Sequence, residues 1–587
     1  MAAVDPHAWA APGPSGIRRY VPILTWLPAY DRSFLRFDAI AGATVWGLLV
    51  PESIAYAGLA GLPPEAGLYT LLATLAAYAI FGTSRHLVAA ATSAAAVLIA
   101  SGVAAVAPSG AAEYAADGAA IVIFCGALFL LAGFLRLGFV AQFLSVPVMA
   151  GFVFGLAIFV TVKQLPKLFG IESGTGDTIR QFVHVLSHLG DTSGATLAVG
   201  AGALALLFGL ERFVPKAPGG LIALVLGIVI SGALDLAHHG VKIVGDVPSG
   251  LPSLGIPDIH SGDVLTLMAA AAGMLLVIFS ESLGAAETFA EKHGYEIDPN
   301  QELIALGVAN VGSGVMGGLA GGGSLSQSAV NEGAGARSEV SSLIATALIL
   351  VTVLFLTPLF KNLPEAVLAA LIIFAVSHLW KIKAFRGYYG VSRVEFWLGL
   401  ATMAGVLVLD VLPGLLIGVV AMLIYFVYQA SKPHVVTLGR IPGLPGAYGN
   451  VARHPDYESV PDLLVLRLDA PLFYANATGI RDGIKKLVGA ADPLPRAVIL
   501  DAGVNDSLDI TSARMLVGLV TQVRSAGVDF ALAEVRHPVT SAAHRSRLLA
   551  TVGKDRVFDT VEEAVATLEK SSGVAVLEPV SAAPPAS

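Results

Sequence analysis

The chain has 587 residues, of which 55% are hydrophobic and 13% charged, and its mean hydropathy is +0.75. Soluble domains carry about 25% charged residues, so the composition excludes a soluble protein and predicts a multi-span helical membrane protein. The net charge of −8 indicates no partner, because membrane proteins sort their charges by side of the bilayer. The single cysteine, Cys125, excludes an intrachain disulfide.

Residues 1–36 show no signal-peptide pattern and no organelle-targeting signal, which predicts a cytoplasmic N-terminal segment and a bacterial plasma membrane location. A transport domain is predicted at 37–431. A span needs about 20 mostly apolar residues, and fewer where a helix is broken. The predicted spans are fourteen, two of them overlapping, at 39–60, 65–81, 87–106, 118–135, 144–165, 194–212, 219–238, 263–288, 300–317, 322–346, 343–360, 364–380, 394–410 and 413–430.

The lysines and arginines of the short loops predict the orientation of these spans. Most of them lie inside if the N-terminus is cytoplasmic, which favours an even number of spans and a cytoplasmic C-terminus. A Gly/Pro-rich loop from Gly245 to Pro257 divides the hydropathy pattern into halves at 37–240 and 260–431. An odd number of spans in each half makes the halves inverted repeats.

Each half has an acidic residue in its first span, and small and hydroxyl residues at the start of its third. The acids are Glu52 and Glu281, and the polar starts are 89–94 and 321–328. The second start contains three glycines followed by Ser, Leu, Ser, Gln and Ser, a pattern that predicts extended chain turning into a helix. Free N–H groups at a helix start carry the positive end of the helix dipole and bind anions. The alternative is a Gly-rich surface loop.

After Lys432 the composition becomes that of a soluble domain, predicted at 432–575. Strands at 463–469, 497–501 and 530–535 alternate with helical patterns at 476–489, 511–526 and 538–550, which predicts a small α/β domain. Residues 576–587, rich in Pro, Ala and Ser, are predicted to be a disordered tail.

Several motifs resemble the SulP anion-transporter family, whose members join an inverted-repeat membrane domain to a cytoplasmic STAS domain. They lie in family order over nearly the whole chain, namely Pro51 to Pro64 with Gly67 to Tyr69, Gly82 to Arg85, Asp298 to Leu303, Ser326 to Asn331 and Gly335 to Arg337. The resemblance implies a UraA-like fold of 7+7 spans, a homodimer, and a substrate such as sulfate, bicarbonate, chloride or a dicarboxylate.

Two positions depart from the resembled pattern. Many relatives have Arg where this chain has Gln327, and the usual Gln of the first motif is Glu52 here. A site that gains an acid and lacks an arginine is poorly suited to a bare anion unless a proton or a cation neutralises it. The sequence therefore favours transport coupled to H⁺ or Na⁺ over plain exchange of chloride or sulfate.

Ionisable residues inside spans are functional hypotheses by default. Burial favours the neutral form of a carboxyl group, so Glu281 and Glu52 are candidates for cation coupling. The alternative is that each is a structural partner satisfied by the neighbouring Ser53 or Ser282. Glu287 lies nearer the membrane surface and is predicted to form a salt bridge there.

The predicted substrate site combines both polar starts with the first-span motif. Its residues are Glu52, Tyr56, Thr92, Ser93, Leu325, Ser326 and Gln327. Close packing between helices is an equal explanation for Thr92 and Ser93, and aromatic packing for Tyr56. In the soluble domain Thr511 matches the phosphorylatable position of STAS regulators, although Asp509 and Thr511 are also typical helix N-cap residues.

We predict a secondary anion transporter that moves its two broken-helix spans against a scaffold of the other spans. The alternatives are an uncoupled, channel-like anion conductor and a membrane-anchored STAS regulator. No Walker glycine loop, metal-ligand spacing, or basic patch with aromatics occurs, so an ATP-driven pump, a metal cofactor and a nucleic-acid partner find no support. No catalytic constellation can be assembled, and an enzyme is the least supported class.

Overall fold

The structure is a computed structural model that describes residues 16–139, 145–174, 176–214, 218–380, 382–432, 435–536 and 547–570. The chain divides into two compact units between Met422 and Leu423. The predicted tail at 576–587 and most of the predicted helix at 538–550 lie outside the described residues.

Helices build the first unit, together with two three-residue strands. Short turns at Ile17–Tyr20, Ile23–Trp26 and Arg32–Phe34 precede the first long helix. The elements of the first half are α1 Leu35–Ala60, α2 Pro64–Phe81, β1 Ala89–Ala91, α3 Ser93–Ala104, α4 Ala111–Phe134, α5 Val146–Phe169, α6 Thr178–Ser187, α7 Gly194–Phe213 and α8 Gly219–Ala233. Those of the second half are α9 Val264–His293, α10 Pro299–Val315, β2 Gly321–Gly323, α11 Leu325–Gly333, α12 Val340–Val351 with turns to Asn362, α13 Glu365–Ser377, α14 Ile382–Val391, α15 Arg393–Leu409 and α16 Val411–Ser431.

Each predicted span overlaps one of these elements, and the order of elements repeats between the halves. Within the described residues, eight helices are long and apolar enough to cross a membrane, and α3, α8 and α13 are shorter apolar helices. The third span of each half is a strand followed by a short helix, α3 or α11. The fold is therefore the predicted polytopic helical fold of inverted repeats.

Two features differ from the predicted spans. The tenth was expected to run over 322–346, but α11 ends at Gly333 and α12 begins at Val340. The chain turns there because Gly335 adopts a φ of 97° and the carboxylate of Asp38 accepts hydrogen bonds from the backbone N–H groups of Arg337 and Ser338. The short helices α6 and α14, each between the fifth and sixth spans of its half, were not predicted because their mixed polar and apolar residues lack a span-length apolar run.

The helices pack as two groups that mix both halves. α4 packs on α10, and α1 and α2 pack on α12, while α5 packs on α13 and α15. Small residues allow these approaches: a Cβ added to Gly126 of α4 would lie 2.5 Å from the Val311 nitrogen of α10. A Cβ added to Gly151 of α5 would lie 2.0 Å from the Gly399 oxygen of α15. Close backbone approach at small residues is how helices associate where lipid supplies no hydrophobic drive.

The second unit is an α/β domain around a six-stranded sheet of order β4-β3-β5-β6-β7-β8. Its elements are β3 Val435–Arg440, β4 Tyr448–Asn450, β5 Leu463–Leu468, α17 Ala477–Ala490, β6 Ala497–Asp501, α18 Ile510–Ser525, β7 Asp529–Ala533, α19 Leu548–Val552, β8 Val557–Phe558 and α20 Val561–Lys570. Strands β5 to β8 are parallel, and β3 pairs antiparallel with β5. The three predicted strands are β5, β6 and β7; the edge strands β4 and β8 and the strand β3 next to β4 were missed.

Candidate functional site

The two polar helix starts meet. Strands β1 and β2 pair antiparallel, with Ala89 opposite Gly323 and Ala91 opposite Gly321. The helices that follow them, α3 and α11, therefore lead away from the pair in opposite directions. This confirms the expectation that residues 89–94 and 321–328 lie together, and it rules out a surface loop, because all six paired residues are buried.

Three glycines are needed in β2 because its neighbours leave no room for a side chain. A Cβ added to Gly321 would lie 2.6 Å from the Cγ2 of Thr74, and one on Gly322 would lie 2.5 Å from the Cγ2 of Ile278. One on Gly323 would lie 2.6 Å from the Cδ2 of Leu87. The triplet is thus explained by close packing on α2, α9 and the chain before β1.

Polar side chains that are not among the predicted substrate-site residues hold this crossing. Asn310 of α10 makes two hydrogen bonds with the backbone of Gly321, one as donor and one as acceptor, each 2.9 Å long. The Ser282 hydroxyl accepts from the Gly323 N–H at 2.7 Å, and the Ser328 hydroxyl accepts from the Val88 N–H at 2.9 Å. In the sequence these residues are visible only as an amide or a hydroxyl within an apolar span. Many residues that merely pack between helices show the same pattern, so it does not identify a site.

The two helix starts differ in how their first N–H groups are satisfied. In α3 the hydroxyl of Thr92 caps the helix by accepting from the Ala95 N–H at 3.2 Å. In α11 the N-cap residue Ser324 makes no such bond, and its hydroxyl lies 3.0 Å from that of Ser326. Since the first N–H groups of a helix have no partner within it, those of Leu325, Ser326 and Gln327 are free donors among the described residues. Thr92 is thereby placed in a capping role, and α11 is the better anion-binding start.

The side chain of Gln327 connects α11 to the first span. Its Nε2 donates to the Glu52 Oε2 at 2.9 Å and to the carbonyl oxygen of Ala91 at 3.3 Å. Gln327 is 3% exposed, and its Oε1 has no hydrogen-bond partner in the described structure. Both amide donors are used within the protein, so the expectation that this amide binds the anion does not match the geometry of this state.

The serines beside the two acids do not satisfy them. The Ser53 hydroxyl is buried without a partner, and that of Ser282 bonds the Ile278 carbonyl oxygen and the Gly323 N–H. Glu52 is held by Gln327 instead. Glu281 is partly buried and forms no hydrogen bond or ion pair with any residue that the structure describes. The two carboxyl groups thus differ, one being engaged and the other free.

The remaining predicted residues lie around these groups. Tyr56 is 6% exposed, one helical turn beyond Glu52, and close enough to Glu52 and Glu281 to interact electrostatically with both. Ser93 is half-buried at the start of α3, whereas Leu325 and Ser326 are exposed at the start of α11. The structure therefore gathers all the predicted membrane-site residues at one crossing.

This arrangement offers an anion backbone N–H groups and hydroxyls, but it also presents two carboxyl groups. A carboxylate beside an anion is repulsive, and an unpaired buried charge is costly. Within the described residues no group of three or more His, Cys, Asp or Glu side chains is placed to hold a metal ion. The acid at the crossing that has no partner, Glu281, is the one suited to take up a proton or a monovalent cation.

In the second unit the predicted regulatory residue lies at the start of α18. The Asp509 carboxylate caps this helix by accepting from the N–H groups of Thr511 and Ser512, at 2.9 and 3.0 Å. Thr511 is exposed, whereas Ser512 is buried and donates its hydroxyl proton to Asp509 at 2.6 Å. Because the Asp509 carboxylate caps the helix, the Thr511 hydroxyl is not used as the cap and is accessible from solvent.

Comparison with known proteins gives two matches to family models. Residues 35–402 match the sulfate permease family, and residues 454–564 match the STAS domain. A probable sulfate transporter of Mycobacterium tuberculosis is 34% identical over 557 residues, covering 93% of this chain and 99% of the relative. Sulfate transporter 1.3 of Arabidopsis thaliana is 30% identical over 578 residues, covering 94% of this chain and 87% of the relative.

Two solved structures share the fold. That of SLC26A9 superposes with a TM-score of 0.87 at 22% identity, over 95% of this chain and 94% of its own. The transmembrane domain of a cyanobacterial bicarbonate transporter, BicA, superposes with a TM-score of 0.58 at 24% identity, over 67% of this chain and 98% of its own. At these identities the likeness shows the architecture of the chain.

Proposed function

The chain belongs to the sulfate permease family, and we propose that it is a cation-coupled secondary transporter of small oxyanions such as sulfate, bicarbonate or a dicarboxylate. The relatives reported above are sulfate transporters by name, and one structural neighbour is a bicarbonate transporter. Oxyanions of this kind suit the free N–H groups and hydroxyls at the start of α11. The protein works in the cell membrane with both termini in the cytoplasm, as a homodimer.

The observation that carries the proposal is the crossing itself. Two short helices begin at a paired strand crossing, and the start of α11 lacks a side-chain cap. A discontinuous span whose helix start aims at a cavity is the usual anion site of secondary transporters. The substrate sits against the N–H groups of Leu325 and Ser326, with Ser93 facing it and Tyr56 forming a wall.

Coupling follows from the charges at this site. With Gln327 in place of a fixed cation, an oxyanion next to Glu52 and Glu281 needs a positive counter-charge. Glu281 supplies the site for it, as a carboxyl group without a protein partner that takes up H⁺ or Na⁺ together with the anion. When anion and cation are bound together, the net charge that crosses the membrane is smaller than it would be with the anion alone.

Uptake into proteoliposomes tests the proposal directly. A panel of labelled sulfate, bicarbonate, succinate and chloride is offered while proton and sodium gradients are imposed separately. We expect an inward gradient of one of these cations to drive accumulation of an oxyanion. Flux that follows the anion gradient alone would identify an uncoupled conductor, and no flux of any anion would favour a membrane-anchored STAS regulator.

The variant Glu281→Gln tests the coupling residue. It removes the titratable group and keeps the shape, so cation-driven accumulation is lost while exchange of internal for external anion persists. Glu287→Gln is the matched control: it removes the same charge from an exposed position of the same helix and leaves accumulation unchanged. Equal accumulation in wild type and Glu281→Gln would move coupling away from Glu281.

A further inference from the structure

A cavity lies away from the strand crossing, in the seam between the two helix groups. Its volume is about 80 Å³, and it is bounded by α1 and α3 on one side and by α5 and the turn between α15 and α16 on the other. Leu59 of α1 and Ser101 of α3 line it, seven and eight residues beyond Glu52 and Ser93. At 1.5 Å per residue, the cavity is about 10–12 Å from the crossing, toward the ends of these helices.

Two opposite charges line this cavity without forming an ion pair. Lys163 of α5 and Asp410, at the turn before α16, both face it. The Lys163 ammonium lies 5.2 Å from the ring centroid of Phe159 and forms no hydrogen bond or salt bridge within the described chain. The Asp410 carboxylate accepts from the Val411 N–H at 2.7 Å, and it attracts Lys163 across the cavity.

A lysine inside a span is costly unless it reaches water or serves a function. Lys163 lies six residues before the last residue of α5, about 9 Å along the helix axis. Its side chain is exposed and lines a cavity that also holds a hydroxyl and a carboxylate, so an anion that enters the cavity can reach the ammonium. The volume exceeds the roughly 10–15 Å³ of probe-occupied space that one water needs, so a small oxyanion or several waters fit there.

We propose that Lys163 and Ser101 form a second anion-binding site, which receives a small oxyanion such as sulfate on its way to or from the strand crossing. This inference rests on the proposed transport function. With the termini cytoplasmic, α1 and α5 end on the outer face, so the site captures external anions. It provides the fixed positive charge that the crossing lacks because it has Gln327.

Asp410 keeps binding at this site weak. Lys163 and Asp410 together are neutral, so an arriving anion must compete with the carboxylate for the ammonium. A site on a permeation route has to release its ion as readily as it takes it. Removing the carboxylate should therefore tighten anion binding and slow release, whereas removing the ammonium should weaken capture.

Transport kinetics provide the first test. In Lys163→Gln we expect the KM for external sulfate to rise about tenfold, which corresponds to 1.4 kcal/mol, with little change in maximal rate. Lys163→Arg should restore the KM, and Asp410→Asn should lower both KM and maximal rate. An unchanged KM in Lys163→Gln, in vesicles where the wild type transports, overturns the second site and leaves the proposed function intact.

Chemical protection provides a test that needs no transport. The full-length protein is treated with an amine-reactive reagent with and without sulfate, and modification of Lys163 is measured by mass spectrometry. Sulfate should slow modification of Lys163 and not that of Lys242, an exposed lysine in a loop. Protection without flux of any anion would support the site and overturn the transport proposal, while flux without protection would overturn the site.

Discussion

Replacing Gln327 by glutamate tests the link between the strand crossing and the first span. In the wild type its Nε2 lies 2.9 Å from the Glu52 Oε2 and donates a hydrogen bond to it. Hydrogen bonds to charged groups contribute about 1.5–3 kcal/mol. Gln327→Glu removes this donor and sets a second carboxyl group against the first.

The cost can be worked out from the geometry. Two full charges 2.9 Å apart repel by about 6 kcal/mol at an effective dielectric constant of 20. Burial lowers the cost of protonating a carboxyl group, and both side chains of this pair are largely buried. Protonation is the cheaper route, so the variant holds an extra proton at its site and has lost its amide donor.

Loss of the hydrogen bond, about 1.5–3 kcal/mol, corresponds to a reduction of about one to two orders of magnitude in sulfate uptake at neutral pH. The assay is initial uptake into proteoliposomes with equal amounts of folded protein, checked by thermal melting in detergent. The double variant Glu52→Gln with Gln327→Glu restores an amide–carboxylate pair in reverse, and we expect it to recover part of the lost rate. Wild-type uptake in Gln327→Glu, or no recovery in the swap, would refute this account of the pair.

Three further outcomes follow from the structure. Gly322→Ala places a Cβ 2.5 Å from the Cγ2 of Ile278, so we expect this variant to lose about 1–3 kcal/mol of stability, measured by thermal melting. The control Gly284→Ala adds a Cβ in open space on α9 and should lose none. Glu302 accepts three hydrogen bonds at 2.6–2.8 Å, so Glu302→Gln should lower the melting temperature. Both carboxyl oxygens of Glu339 are buried without a partner in the described structure, so Glu339→Gln should leave the melting temperature unchanged or raise it. In the STAS domain the pKa of Asp529 is lowered: burial raises it, but hydrogen bonds and the charges of two arginines outweigh burial. The ionised Asp529 therefore stabilises the folded domain above the ordinary aspartate pKa, and this stabilisation is lost as the pH falls through the lowered value. Hydrogen exchange of β6 and β7, measured in the full chain, should show protection that decreases only in acid.

The sequence predicted the helical architecture and the crossing because both depend on composition over many residues. Long apolar runs predict spans in any context, and a glycine triplet followed by hydroxyl residues leaves few structures other than a broken helix. The boundary near Gly333 could not be predicted, since the apolar pattern continues past it. The stop depends on a positive φ at Gly335 and on the Asp38 carboxylate, which comes from a helix nearly 300 residues away.

The partners within the site were harder to predict for the same reason. Gln327 was expected to face the anion, because an amide in a polar helix start is a natural donor. Its actual partners, Glu52 and the Ala91 carbonyl oxygen, lie in the other half of the chain. Neighbouring serines seemed the natural partners of the two acids, but helix geometry turns Ser282 toward its own backbone and β2. Contacts between inverted repeats leave no local trace in the sequence.

Under the proposed mechanism, the charges of the membrane unit separate the attraction of the anion from the uptake of the coupled cation. We propose that an anion at the strand crossing, where it meets free N–H groups and the carboxyl groups of Glu52 and Glu281, is held only when a cation is taken up with it. The cavity lined by Lys163 lies about 10–12 Å from the crossing, and under the same proposal its ammonium concentrates anions there without neutralising the crossing. A fixed positive charge at the crossing would neutralise the anion by itself and remove the need for a coupled cation. On this argument, introducing Gln327→Arg should convert cation-driven accumulation into anion exchange, while Lys163→Gln should weaken capture and leave the dependence on the cation gradient intact.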